Sequence, residues 1–185
     1  MATVTSGNAQ TPATSDPAKL AYDLINEVET LCKNGMNAIS AAWHFGIWDA
    51  ANCSPDTVVS QLSAQIGYDF AFVVENCGCS AEELINGDGN FDGWEFCLTA
   101  AENCISQAGI HDTVKDSLNT ARELIQSVPT DHTNYQDLKN YYTKVAAYAS
   151  YFSDINGSYQ DIIAGMSSHE LSIQLAKEPL LFDLG

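Results

Sequence analysis

The stretch Val114-Lys115-Asp116-Ser117-Leu118-Asn119-Thr120-Ala121-Arg122-Glu123-Leu124-Ile125 decides the fold. Its apolar residues Val114, Leu118, Ala121 and Ile125, followed by Val128, recur every three or four positions, from Asp112 as the opening cap to Pro129 as the stop. Residues at that spacing share one face of an α-helix, and here the other faces are polar. A helix apolar on one side only is stable when another element covers that side, so the stretch predicts a partner of the same kind.

Such partners recur outward in both directions. Towards the C-terminus, 133–152 carries Tyr135, Leu138, Tyr142, Val145, Ala149 and Phe152, and a last helix is expected at 159–175. Towards the N-terminus, Asp16-Pro17 opens a helix whose apolar face is read as Leu20, Leu24, Val28 and Leu31, with Asn34-Gly35 as its stop. A shorter apolar helix follows at 36–48, another at 54–74 carried by Val58, Val59, Leu62 and Ile66, and one at 92–108 closed by Gly109. Strand-like alternation is nearly absent. The expectation is an all-α bundle of six or seven helices forming one domain over 16–176. A polar N-terminal segment, 1–15, is too poor in apolar residues to order itself, and an apolar tail, 177–185, docks.

Seven Lys/Arg stand against 24 Asp/Glu, a formal charge of −17. Between Lys33 and Lys115 there is no Lys or Arg, while eleven carboxylates fall there: Asp49, Asp56, Asp69, Glu75, Glu82, Glu83, Asp88, Asp92, Glu95, Glu102 and Asp112. Such a surface repels nucleic acid and anionic lipid and attracts cations. No apolar run reaches membrane-spanning length, and the first fifteen residues lack a signal-peptide core, so the chain reads as cytoplasmic or as a mature form with an added methionine. Six cysteines favour the second, extracellular reading. Oxidised, they would pair most economically as Cys77 and Cys79 with Cys97 and Cys104, and Cys32 with Cys53; the alternative is buried free thiols.

Within the acidic interval lies Asn86-Gly87-Asp88-Gly89-Asn90-Phe91-Asp92-Gly93-Trp94-Glu95-Phe96. Oxygen-bearing side chains at Asn86, Asp88, Asp92 and Glu95 surround a glycine bend and lead into a helical pattern. A hard cation such as calcium takes six to eight oxygens, and glycine permits the tight turn that gathers them. From Ser80 to Leu98 the pattern resembles an EF-hand, the helix–loop–helix calcium motif. The resemblance covers about twenty residues and implies a ligand set. Asn86 and Asp88 would offer side-chain oxygens, Asn90 its carbonyl, Asp92 a direct or water-mediated contact and Glu95 a bidentate carboxylate. The chain departs from the family at the loop's start, where Leu84 stands in place of Asp. A register beginning at Asp88 instead puts Thr99 where the closing carboxylate belongs. One ligand short, the site would be weak, on the order of 10⁻⁴–10⁻³ M. The alternative is a metal-free loop held by Asx-type hydrogen bonds. Fainter echoes at 34–40 and 154–160 read as partner loops or as plain Asn-Gly turns.

Catalytic candidates are few. His111-Asp112 has the residue types of an oriented general base, but neighbours on a helix start diverge and Asp112 is needed as a cap. The chain therefore reads as a binding protein, with a calcium-assisted hydrolase using His111 as the less favoured alternative. Six of eight tyrosines fall between Tyr135 and Tyr159, with Tyr141, Tyr148 and Tyr151 off the main apolar stripe. The 133–152 helix is then either central to its bundle or a surface for a protein partner or self-assembly.

Overall fold

The structure is a computed structural model that describes residues 16–48, 98, 101–102, 105–106 and 108–185. The expected N-terminal segment, the 54–74 helix, and every cysteine except Cys32 lie outside these residues. Among the described residues the chain is all-helical, with four α-helices in place of six or seven: α1 Pro17–Trp48, α2 Ile110–Ser127, α3 Tyr135–Ser153 and α4 Tyr159–Lys177. A 3-10 turn, Glu178–Leu180, follows α4. Helix α1 is the axis of the bundle and packs against the other three, most extensively against α2 and α3, while α4 lies chiefly on α3.

Helix α1 begins as its sequence signals. The Asp16 carboxylate accepts from the Ala18 N–H at 3.0 Å, and Pro17 occupies the first turn, where its missing N–H costs nothing. Its stop does not form. The helix runs through Asn34-Gly35 for 32 residues, so the two helices expected at 16–34 and 36–48 are one. Gly35 has a packing role instead: a Cβ there would come within 2.5 Å of Phe152 Cε2, so the glycine lets the Phe152 ring lie against the α1 backbone. Gly165 does the same between α4 and α3, beneath Tyr151, whose hydroxyl donates to the Ile162 carbonyl at 3.2 Å.

The buried face of α1 is also rotated from the one expected. Ala18, Ala21, Tyr22, Ile25, Val28 and Cys32 face inward, whereas Leu20 is exposed and Leu24 and Leu31 are half-buried. Alanines on the inner side allow close helix approach, which the leucine stripe would not. Cys32 is a free thiol in that core, so the expected Cys32–Cys53 bridge is not formed. Burial pushes its pKa up to about 12, and it behaves as a small apolar residue.

The other helices match their patterns more closely. On α2, Val114, Ala121 and Ile125 are buried, followed by Val128 just beyond its end. Asp112 sits in its first turn without capping, the cap position being Gly109. The echo at 34–40 is helix interior. The one at 154–160 is the α3–α4 turn, where the Asn156 side-chain amide donates to Asp154 Oδ1 at 2.6 Å. There Ser158 and Asp161 form a capping box: the Asp161 N–H donates to Ser158 Oγ and the Ser158 N–H to Asp161 Oδ2.

Replacing Gly35 by alanine tests the close approach. Helix propensity alone would gain about 1 kcal/mol, but forcing a methyl into a filled contact costs about 1–3 kcal/mol. Urea denaturation of Gly35→Ala is expected to show a net loss of stability, partly recovered when Phe152→Leu makes room; a stabilised single variant would contradict the packing role.

Candidate functional site

Three helices converge on one carboxylate. Glu29 Oε2, on α1, accepts from the Tyr141 hydroxyl of α3 at 2.5 Å and from Lys177 Nζ of α4 at 2.9 Å. Lys177 also donates to the Asn26 side-chain oxygen and lies 5.7 Å from the Tyr141 ring centroid. The Lys177 and Glu29 side chains are largely withdrawn from water, and Tyr141 is fully buried. Burial, then the bond and charge of Glu29, push the Tyr141 phenol far above its usual range, so it stays a neutral donor.

Beside this junction residues of α1, α3 and α4 line a groove of about 710 Å³. Lys33 and Glu170 face each other across it at 3.9 Å, longer than a hydrogen bond. Tyr148 of α3 lines it, fully buried, and its hydroxyl has no hydrogen-bond partner. Behind Tyr148, the His169 ring stacks at 5.4 Å and also meets Tyr151 at 5.0 Å. Burial lowers the His169 pKa, keeping the imidazole neutral.

A second cavity, about 410 Å³, lies at the start of α2 among Ile39, Glu102, Ser106, His111, Phe152 and Asp154. His111 packs on the Phe152 ring at 4.5 Å, and its Nδ1 is buried without a partner. Asp112 therefore does not orient it, and the histidine–carboxylate pair suggested by adjacency is not assembled.

The calcium ligands expected from sequence, Asn86, Asp88, Asn90, Asp92 and Glu95, all lie outside the described residues. Among the described residues no group of three or more His, Cys, Asp or Glu side chains is placed to hold a metal. On the tyrosine-rich helix Tyr141 and Tyr148 are fully buried, and Tyr135, Tyr142 and Tyr151 are half-buried. The exposed large apolar residues of the described chain fall on α1 and on α4 with its C-terminal extension, not on α3. The Glu29–Lys177 junction and the Lys33–Glu170 groove went unread in the sequence; Tyr148 off its apolar stripe was the one available sign. No protein-family model, curated protein or solved structure matches the chain.

Two outcomes follow from this geometry. Lys177→Met leaves Glu29 short of its cation and is expected to cost about 1–3 kcal/mol in urea denaturation at neutral pH, with part regained by adding Glu29→Gln; additive losses would show the pair to be uncoupled. For His169, the unfolded imidazole takes up its proton near pH 6.5 while the folded one resists. Its stabilising contribution is thus complete above pH 6.5 and is lost as pH falls towards the lower folded value. His169→Phe, which keeps an aromatic ring at that position, is expected to lose less melting temperature than the parent between pH 7 and pH 5; parallel curves would exclude the effect.

Proposed function

We propose that this chain is an acidic, helical, calcium-binding protein in which the ion stabilises the fold or an interaction surface. The observation that carries this reading is the donor set Asn86, Asp88, Asn90, Asp92 and Glu95 around Gly89, set in an interval with no competing Lys or Arg. Their chemistry, all oxygen and partly anionic, suits a hard divalent cation. The bundle supplies a route for the stabilisation. Ala101 and Ile105, six and ten positions after Glu95, are helical and buried in the same core as α1, α2 and α3. An ion held at Glu95 would thus bind six residues along the chain from the first of these core positions.

A weak site belongs where calcium is abundant, and we place the protein outside the cell. With Cys32 free, five cysteines remain of the six, enough for at most two intrachain bridges. No helix among the described residues is long and apolar enough to cross a membrane. A metal-free interaction protein is the second reading. It is favoured by one observation: Leu171, Leu175, Leu181 and Phe182 are 59%, 62%, 52% and 97% exposed along α4 and the segment after it.

Melting with and without millimolar calcium separates the two. A weak site would add about 1 kcal/mol, which for a domain of this size is about 2–4 °C. Glu95→Gln is expected to abolish that rise. A melting temperature indifferent to calcium, with Glu95→Gln equal to the parent, rejects the ion and leaves the metal-free reading.

A further inference from the structure

We propose that the groove between α1 and α4 is a binding site for a small zwitterion with an apolar side group, the chemistry of an apolar α-amino acid. Three features of the groove carry this, and none depends on the calcium loop.

The first is the Tyr148 hydroxyl. It is enclosed and has no partner, and Tyr148 is one of the residues that line the groove. A buried hydroxyl left unpaired is costly, and native structures complete such groups with a ligand or water atom. Its own burial, then the nearby Glu170, raise the phenol's pKa, so the group is a neutral hydrogen-bond donor. The second is the arrangement of charge. Lys177 and Glu29 satisfy each other, but Lys33 and Glu170 stand too far apart for a hydrogen bond, and both reach solvent. A molecule carrying an ammonium and a carboxylate side by side can enter that gap, its ammonium on Glu170 and its carboxylate on Lys33 and the Tyr148 hydroxyl. Three charge-assisted hydrogen bonds then replace one loose pair. The third is the apolar wall of Leu171 and Leu181, exposed at the groove's edge above buried Ile173.

The lining also excludes other classes. Glu29, Glu170 and Glu178 outnumber Lys33 and Lys177, so phosphates and other polyanions meet a net negative surface. A plain cation would leave Lys33 and the Tyr148 donor unused. The volume, about 710 Å³, lies in the range of small-molecule sites.

The experiment is calorimetric titration of the full chain with leucine, methionine and phenylalanine, alongside isocaproate, which lacks the ammonium, and isoamylamine, which lacks the carboxylate. At least one amino acid is expected to saturate, with both truncated analogues weaker by about tenfold or more, the scale of one lost charge-assisted contact. Tyr148→Phe is expected to weaken binding by about tenfold while leaving the melting temperature unchanged or higher, because the lost hydroxyl had no partner in the free protein. Lys33→Gln, half-exposed and free to fold, is expected to weaken it similarly. Binding is expected with and without calcium, which keeps this result separate from the fate of the metal loop. Failure of all three amino acids to saturate at millimolar concentration overturns the proposal, as does isocaproate binding as tightly as leucine. So does a Tyr148→Phe variant that melts lower yet binds as the parent does, the mark of a hydroxyl completed by water alone.

Discussion

The described bundle is organised by a charge that three helices share. A carboxylate withdrawn from water is tolerable only when its lone pairs and its charge are both met, and Glu29 is met by a phenol from α3 and an ammonium from α4. Each partner comes from a different helix, so the cost of misplacing any of them falls on all three. Apolar packing alone would tolerate α4 sliding along α3 by part of a turn; the Lys177–Glu29 bond would not. The same contact brings the start of the C-terminal extension back to α1, where Lys19 Nζ donates to the Leu184 carbonyl at 2.6 Å and Leu180 and Leu184 are buried. One ionic junction thus fixes the register of the apolar contacts around it.

That junction also explains how a chain of such negative charge uses its few cations. Of seven Lys/Arg, Lys177 is spent inside the bundle, Lys19 ties down the C-terminal extension and Lys33 faces the groove. Most carboxylates of the described residues are left to the surface, where they repel one another and draw counter-ions. Helix α4 carries a parallel imbalance in apolar surface. Its inner face buries Ile162, Met166, Ile173 and Ala176, yet Leu171 and Leu175 point outward. A helix apolar on two faces suits a position covered on both sides, and the described bundle covers one.

Much of the described fold was legible in the sequence, for local reasons. The 3.6-residue period of Val114, Ala121, Ile125 and Val128, the Asp16-Pro17 opening and the Pro129 stop are signals carried by neighbouring residues, and the structure honours them. What failed was the reading of Gly35. A glycine after asparagine is a common helix end when considered locally; here its missing Cβ admits a ring 117 positions away, a contact no local pattern encodes. The inner face of α1 was misread because leucine outweighs alanine in any apolar count, although it is alanine that permits close approach. The groove was illegible for a related reason: Glu29 and Lys177 are 148 positions apart, and each reads singly as a solvated surface charge. The calcium loop is the reverse case, a site written in eleven consecutive residues that lie outside the described part.

Stability and recognition need not use the same groups in this molecule. Tyr141 and Tyr148 lie two helical turns apart on α3, both fully buried, both with phenols kept neutral by burial. One hydroxyl closes on Glu29 and locks the bundle; the other, seven positions on, is enclosed without a partner in a residue that lines the groove with Lys33 and Glu170. A core selected for stability alone would place phenylalanine at the second position, since it fills the same volume without an unpaired donor. The proposed zwitterion would give that hydroxyl the partner that packing does not supply.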